Sequence, residues 1–346
     1  MGKIILGQTG LEIEKNGFGT LPIQRVSFEE SSYLLRKAYE NGINFIDTAR
    51  AYTDSEEKIA TAFKGWNDEY PRESIILATK TQGENRKDIK KDIETSLDKL
   101  ETDYIDLYQL HNPSFCPTEG DGSGAYDIMF DLKDEGLIRH IGFTSHKYEL
   151  AEEAIDSGLY ETIQFPFSYL TSSKELAIVE KCRANNLGFI AMKAMGGGLI
   201  KSSRATYAYI NQFDNVVPIW GIQKIEELNE FLSYMKEEPK LDDELSRIIS
   251  NERKELQGDF CRGCGYCEPC PQDIEISKCA RMSLWIRRFP SEPSLTPEAQ
   301  KMMKKIEDCT ECGNCLSRCP YELNIPELLK KNYEDYQDIL SGKVKV

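Results

Sequence analysis

The chain has 346 residues, of which 40% are hydrophobic and 29% charged, and its formal net charge is −15. These figures describe a soluble globular protein with room for one large barrel and a small appendix, or for two ordinary domains. They exclude a bilayer-spanning segment, because no apolar run approaches the roughly 20 residues such a segment needs. An acidic body also repels nucleic acid and anionic lipid, so neither is an expected partner. Met1 to Gly10 lacks the basic-then-apolar plan of a signal peptide, and a cytoplasmic location is expected. The charge is uneven: up to Leu256 there are 30 Lys and Arg against 44 Asp and Glu, and beyond it 13 against 14.

In chain order, an N-terminal hairpin is predicted from Lys3–Leu6 and Leu11–Glu14. Eight short apolar runs follow as strand candidates: Gly17–Thr20, Phe45–Asp47, Ile75–Thr79, Tyr104–Leu110, Ile138–Phe143, Thr162–Phe165, Gly188–Met192 and Val216–Trp220. Helical patterns lie between them. Ile89, Ile93 and Leu97 recur at four-residue steps, and Ile225, Leu228, Leu232 and Met235 at three- and four-residue steps, which puts one apolar face toward a sheet. Alternation of eight strands with helices over about 250 residues predicts a (β/α)8 TIM barrel spanning 1–256. An open doubly wound sheet is the alternative, but no strand here leads into a GxGxxG turn opening a helix. Gly196-Gly197-Gly198 does follow a strand, and marks a tight phosphate-facing or packing turn. The pattern breaks near Gly258, and residues 257–346 form a small domain rich in Cys, Pro and Gly, with an apolar-aromatic segment (Met282, Leu284, Trp285, Ile286, Phe289) in its middle. A domain of that size needs metal to hold it together.

Eight of the 11 cysteines fall in two clusters, leaving Cys116, Cys182 and Cys279 as ordinary thiols. The first cluster reads Cys261-x2-Cys264-x2-Cys267-x2-Cys270-Pro271, the second Cys309-x2-Cys312-x2-Cys315-x3-Cys319-Pro320. The second matches the bacterial ferredoxin pattern for a [4Fe–4S] cluster, and the first is one residue tighter before its last cysteine. Two-residue spacing wraps three thiolates around three irons of a cubane, and the fourth ligand must reach the far corner from elsewhere. In two-cluster ferredoxins that fourth cysteine is exchanged. The expected sets are therefore Cys261, Cys264, Cys267 and Cys319 on one cluster, and Cys309, Cys312, Cys315 and Cys270 on the other. A pair of tetrahedral zinc sites is the alternative. Zinc favours two CxxC pairs brought from separate segments, which fits two CxxCxxC runs less well.

In the barrel segment, Asp47-Thr48-Ala49-Arg50-Ala51-Tyr52 closes one strand, and Ser55 is placed as the N-cap of the next helix, with Glu56 and Glu57 in its first turn. Lys80 closes a second strand and His111 a third. Strand ends in such a barrel face one mouth, so Asp47, Tyr52, Lys80 and His111 are expected to meet there. Each taken alone has a bland reading: a turn cap, a solvated charge, a satisfied structural histidine.

The order Asp-x4-Tyr, a Lys after Ala-Thr, and the His of Asp106-Leu107-Tyr108-Gln109-Leu110-His111 resembles the aldo-keto reductase superfamily over roughly the first 255 residues. With its cysteine tail, the whole chain resembles the iron–sulfur branch of that superfamily. The resemblance implies NAD(P)H-dependent reduction of a small carbonyl substrate: hydride passes from the nicotinamide to the carbonyl carbon, and Tyr52 protonates the alkoxide. Lys80, paired with Asp47, would lower the Tyr52 pKa, and His111 would hydrogen-bond the carbonyl oxygen. Thr144, Ser145 and Gln164 would hold the carboxamide, and Phe167 would stack on the ring. The implied cofactor contacts also include Gly19, Thr20, Asp47, Met195, Gly196, Gly221, Gln223 and Lys224. The family usually has Tyr where Phe167 stands and Ser-Asn where Thr144-Ser145 stand. After Gly221 the arginine that often grips a 2′-phosphate is missing, and Lys224 is left to replace it as a point charge, which tilts the expectation toward NADP over NAD. Arg50 and His146 are candidates for the substrate pocket.

Hydride moves two electrons, whereas a [4Fe–4S] cluster moves one, and no flavin fingerprint is present to relay between them. Three readings remain. One is a carbonyl reductase with structural or redox-sensing clusters. Another is an electron-transfer protein feeding a redox protein partner. The last is a barrel that has lost catalysis, which the intact set of four disfavours.

Overall fold

The computed structural model describes residues 2–256, 260–289 and 291–345; Gly258, where the sequence pattern breaks, lies outside them. Contacts divide the chain into two units, Met1–Ala194 with Ser203–Ser246, and Met195–Ser202 with Arg247–Val346. The division thus falls ten residues before the boundary drawn from composition, and it assigns the glycine loop after the seventh barrel strand to the second unit.

The first unit opens with an antiparallel pair, β1 (Lys3–Ile5) and β2 (Glu12–Glu14), with Lys3 opposite Glu14. Then come β3 (Gly17–Gly19), β4 (Phe45–Asp47), β5 (Ile76–Thr81), β6 (Ile105–His111), β7 (Ile138–Thr144), β8 (Thr162–Pro166), β9 (Gly188–Met192) and β10 (Val216–Gly221). Among the described residues these eight strands are all parallel and close on themselves, with β10 pairing both β9 and β3. Most barrel-strand residues are buried, and the strands read as continuous apolar runs rather than as alternation.

The covering helices are α1 (Phe28–Glu40), α2 (Ser55–Ala62), α3 (Arg86–Leu100), α4 (Ala125–Asp134), α5 (Tyr148–Ser157), α6 (Ser173–Ala184), α7 (Ser203–Ile210) and α8 (Ile225–Lys236). Several start where the sequence supplies a cap. Ser27 with Glu30 and Ser172 with Glu175 close capping boxes at α1 and α6, and Asn85 caps α3. The apolar stripes point inward: Ile89 and Ile93 in α3 and Leu228, Leu232 and Met235 in α8 are buried. At α2 the reading from sequence is corrected. Ser55 is the first helical residue, and its Oγ donates to Thr20 Oγ1 at 2.8 Å instead of capping the helix.

The N-terminal hairpin seals the barrel end remote from the strand C-termini. Leu6 and Ile13 join a cluster with Phe45, Ile76, Leu107, Ile190 and Val217. Gly7 makes this possible: its φ is +54°, and a Cβ there would lie 2.2 Å from Gly188 N.

In the second unit α9 (Asp243–Glu255), which begins in the first unit, is followed by α10 (Ile276–Cys279), α11 (Met282–Arg288), α12 (Pro297–Lys304), α13 (Asn314–Arg318) and α14 (Ile325–Leu340). Its core mixes Ile274, Ile276, Met303, Leu329 and Tyr336 with the thiols of Cys261, Cys267, Cys279 and Cys319. Of the apolar-aromatic segment, Met282 and Ile286 enter that core while Trp285 and Phe289 stay exposed. Among the described residues no helix is long and apolar enough to cross a membrane.

Leu6→Ala removes the plug from a 1% exposed site. Urea unfolding should show a loss of about 2–5 kcal/mol; a loss near zero would mean that the hairpin does not seal the core.

Candidate active site and cysteine centres

The register of the barrel sets the site. Gly19 stands opposite Asp47, Lys80 opposite Gln109, His111 opposite Thr144, and Thr144 opposite Gln164. Each of these pairs sits at or near the C-terminal end of its strand, the end where (β/α)8 barrels carry their chemistry.

At the centre lies a buried ion pair. Lys80 Nζ donates to Asp47 Oδ1 and to the Thr48 carbonyl, both at 2.6 Å, and both charged side chains are almost wholly enclosed. Gln109 Nε2 donates to Asp47 Oδ2 at 3.3 Å, so three strands fix one carboxylate. Burial pushes the Asp47 carboxyl up and the Lys80 ammonium down, and the attraction between them opposes both shifts. Lys80 Nζ lies 5.4 Å from the centre of the Tyr52 ring. The His111 ring meets that same ring edge-on, with centroids 5.8 Å apart. The structure therefore brings all four predicted side chains together.

His111 Nδ1 is buried and makes no hydrogen bond. Burial, with the Lys80 charge behind it, lowers the His111 pKa to about 3, so the ring is neutral at pH 7. His146 is held neutral by the same physics: burial first, then Lys193 and His111. Its backbone N–H donates to Asn112 Oδ1 at 3.0 Å, and Asn112 N donates to Thr144 Oγ1 at 2.9 Å. Asn112 has a φ of +53°, a left-handed conformation that asparagine tolerates better than most residues. Arg50 forms an ion pair with buried Glu56, which also accepts from Thr79 Oγ1. Gln109 and Asn112 are supporting residues that the sequence did not single out, and Glu56, read from sequence only as a first-turn acid, is a third. A glutamine inside an apolar strand was the one available signal, since a buried amide must find partners.

The remaining cofactor candidates are placed unequally. Gln164 Oε1 and Gln223 Oε1 are buried without partners, as a site for an amide N–H requires. Thr20 Oγ1 donates to the Asp47 carbonyl, while the Ser145 hydroxyl is tied to Lys147. Phe167 is 1% exposed and stacks at 6.0 Å on Tyr209, with Phe189 and Phe213 edge-on. One face of its ring is thus already covered by another ring. Gly221 and Lys224 are exposed around the start of α8. Met195 and Gly196 belong to the second unit.

Each cysteine run keeps its own thiols near one another, and Cys319 lies beside the first run. Burial pushes the Cys267 thiol up to about 12, and Cys261, Cys264 and Cys319 are close enough to raise it further. Cys315 is raised by burial and then by Cys309 and Cys312, and these three line one cleft with Cys270 and Cys267. Among the described residues no three His, Cys, Asp or Glu side chains are grouped to hold a single metal ion. The donor set, thiols throughout, suits an iron–sulfur centre.

Comparison with known proteins agrees with this architecture. The aldo/keto reductase family profile matches residues 3–230, and a 4Fe-4S dicluster domain profile matches residues 260–324. The chain belongs to the aldo/keto reductase family of oxidoreductases and carries a 4Fe-4S domain at its C-terminal end. It is 30% identical to the aldo-keto reductase YhdN of Bacillus subtilis over 61% of this chain and 67% of that protein. It is 26% identical to the NADH-specific methylglyoxal reductase of Escherichia coli over 58% of this chain and 69% of that one. An aldo-keto reductase from Klebsiella pneumoniae, solved in complex with NADPH, superposes with a TM-score of 0.61 over 73% of this chain and 96% of that chain; at 20% identity this shows the fold. The chain spans about two thirds of the length of the curated relatives.

Lys80→Met strands a buried carboxylate, and unfolding should show a loss of about 3–5 kcal/mol, most of it regained in the double variant with Asp47→Leu. No recovery in the double variant would mean that the pair itself stabilises the fold. His111 also sets an acid sensitivity. Below its unfolded value of 6.5 the unfolded chain binds a proton that the folded chain refuses down to about 3. Stability is therefore lost as pH falls through that window, by up to about 1.4 kcal/mol per unit from this site. His111→Phe should flatten the slope measured between pH 6.5 and 5; an unchanged slope would contradict the assignment.

Proposed function

We propose that the chain is an NAD(P)H-dependent reductase of a small aldehyde or ketone, with Tyr52 as proton donor, and that its second unit carries two [4Fe–4S] clusters. The observation that carries this reading is the Lys80 ammonium, 2.6 Å from Asp47 and 5.4 Å from the centre of the Tyr52 ring, with His111 edge-on to the same ring. A bound nicotinamide supplies hydride, and a bound cluster carries one electron at a time. The Tyr52 hydroxyl gives its proton to the alkoxide oxygen, and the nearby ammonium favours the phenolate left behind. Asp47 and the Thr48 carbonyl hold that ammonium in place. His111, neutral, donates a hydrogen bond to the substrate oxygen without bringing a second proton.

Gln164 Oε1 is free to accept from the carboxamide, beside Thr144 and Ser145. Lys224, exposed at the N-terminus of α8, offers a point charge to a 2′-phosphate and favours NADPH. Cys261, Cys264, Cys267 and Cys319 would hold one cluster, and Cys270, Cys309, Cys312 and Cys315 the other. The exposure of Cys312 favours a second role, passage of single electrons from that cluster to a redox protein partner.

NADPH consumption against a panel of aldehydes and ketones tests the reading. Tyr52→Phe should lose about 10²–10⁴-fold in turnover while keeping the iron and sulfide of the wild type. Turnover equal to wild type would reject Tyr52 as the donor.

A further inference from the structure

The loop Met195–Ser202 follows β9, the seventh barrel strand, and belongs to the cysteine-bearing unit. In (β/α)8 barrels the loops after the seventh and eighth strands are the frequent seat of phosphate groups. Gly196, Gly197 and Gly198 all have positive φ, at 58°, 67° and 92°, and turn the chain through backbone that other residues avoid. At Gly197 there is a second reason for glycine: a Cβ would lie 2.4 Å from the carbonyl oxygen of Arg262. Arg262 sits between Cys261 and Cys264, so the glycine loop rests directly on the segment that presents the first thiols.

One side chain spans the two. Arg281 Nη1 donates to the Gly197 carbonyl at 2.8 Å, and Arg281 Nε donates to the Ser277 carbonyl at 2.7 Å. The same guanidinium covers Gly263, where a Cβ would fall 2.5 Å from Nη1. Further along the loop, Arg288 Nε donates to the Leu199 carbonyl at 2.7 Å, and Glu252 accepts from Lys201 N at 3.3 Å. The loop is therefore fastened at three points to the unit that carries the thiols, and at Gly197 to the ligand segment itself.

We propose that Arg281 is a positioning residue for nucleotide binding: it locks the Gly196–Gly198 loop onto the Cys261–Cys264 segment, so that the loop is set to receive a phosphate only while that segment is in place. This rests on the reading that the loop takes the phosphate of the dinucleotide. Filling of the first thiol set then raises nucleotide affinity, and by reciprocity a bound nucleotide steadies that set. Arg281 touches neither substrate nor reacting atoms and acts through the loop backbone.

The test uses the full-length, cluster-loaded protein with Arg281→Met, Arg281→Lys and Gly197→Ala. Iron per chain, amide hydrogen exchange across 195–202, NADPH affinity by fluorescence, and KM against kcat are read for each. A lost charge-assisted hydrogen bond predicts that iron-replete Arg281→Met exchanges these amides roughly tenfold faster and binds NADPH roughly tenfold more weakly, KM rising more than kcat falls, with Arg281→Lys in between. Unchanged exchange would overturn the lock. Faster exchange with unchanged NADPH affinity would overturn the loop's phosphate role, while Tyr52-dependent turnover would still stand and keep the two failures apart. Should Arg281→Met fail to retain iron, Gly197→Ala carries the test, because it leaves every thiol and Arg281 in place. Iron-replete Gly197→Ala with wild-type NADPH affinity would overturn the proposal.

Discussion

Burying the Lys80 ammonium and the Asp47 carboxylate 2.6 Å apart, each about 1% exposed, is expensive in desolvation. Their attraction in that setting does little more than balance the loss. Stability alone therefore gives no reason for the pair to be there, since two apolar side chains would serve the fold as well. What the pair achieves is a cation fixed beside a phenol. The closed barrel makes it possible: the Asp47–Ala78 register between β4 and β5 carries Lys80 two residues beyond Ala78, to the level of Gln109 on β6. Asp47, Lys80 and Gln109 thus come to one point from three consecutive strands. A slip of one residue in any of them would turn its side chain to the other face of the sheet and dissolve the site.

The second unit solves a different problem with the same economy of parts. Three of the thiols expected to bind iron, Cys261, Cys267 and Cys319, belong to its core, packed with Ile274, Ile276, Leu329 and Tyr336, so groups offered to iron also fill volume. A cluster seated there would contribute to folding as much as to redox chemistry. Arg288 is 7% exposed and answers buried Glu252 and exposed Glu255, two ion pairs that tie the end of α9 to α11. Division by contacts explains why composition placed the boundary late. Residues 247–255 continue a helix that begins in the barrel unit, and nothing in their sequence announces that their partners lie downstream.

The barrel was legible because buried parallel strands are written as bare apolar runs. Phe45–Asp47 and Gly188–Met192 have the same bounds in sequence and structure. β5 differs for a physical reason: it continues through Lys80 to Thr81, and a lysine ends an apolar run on paper while the fold buries it against Asp47. Asp47, Lys80 and His111 could be placed at one mouth because strand ends share a side. Support from Gln109 and Asn112 could not, because a hydrogen bond across strands depends on register and side-chain direction. Ser55 looked like a cap from its position before two glutamates, yet tertiary partners, Thr20 and Thr48, claimed its hydroxyl. The spacing of the cysteines was readable in full, whereas the exchange of Cys270 and Cys319 between sets was expected from the two-cluster ferredoxin pattern, since a cubane requires only that its fourth ligand come from elsewhere.

The most direct measurement is the pH profile of kcat/KM for carbonyl reduction in the wild type and in Lys80→Met. A phenol that must hold its proton to act, beside a fixed ammonium, predicts a rate that declines toward alkaline pH, with the decline displaced to higher pH once the ammonium is removed. Two profiles of the same shape and position would contradict the account.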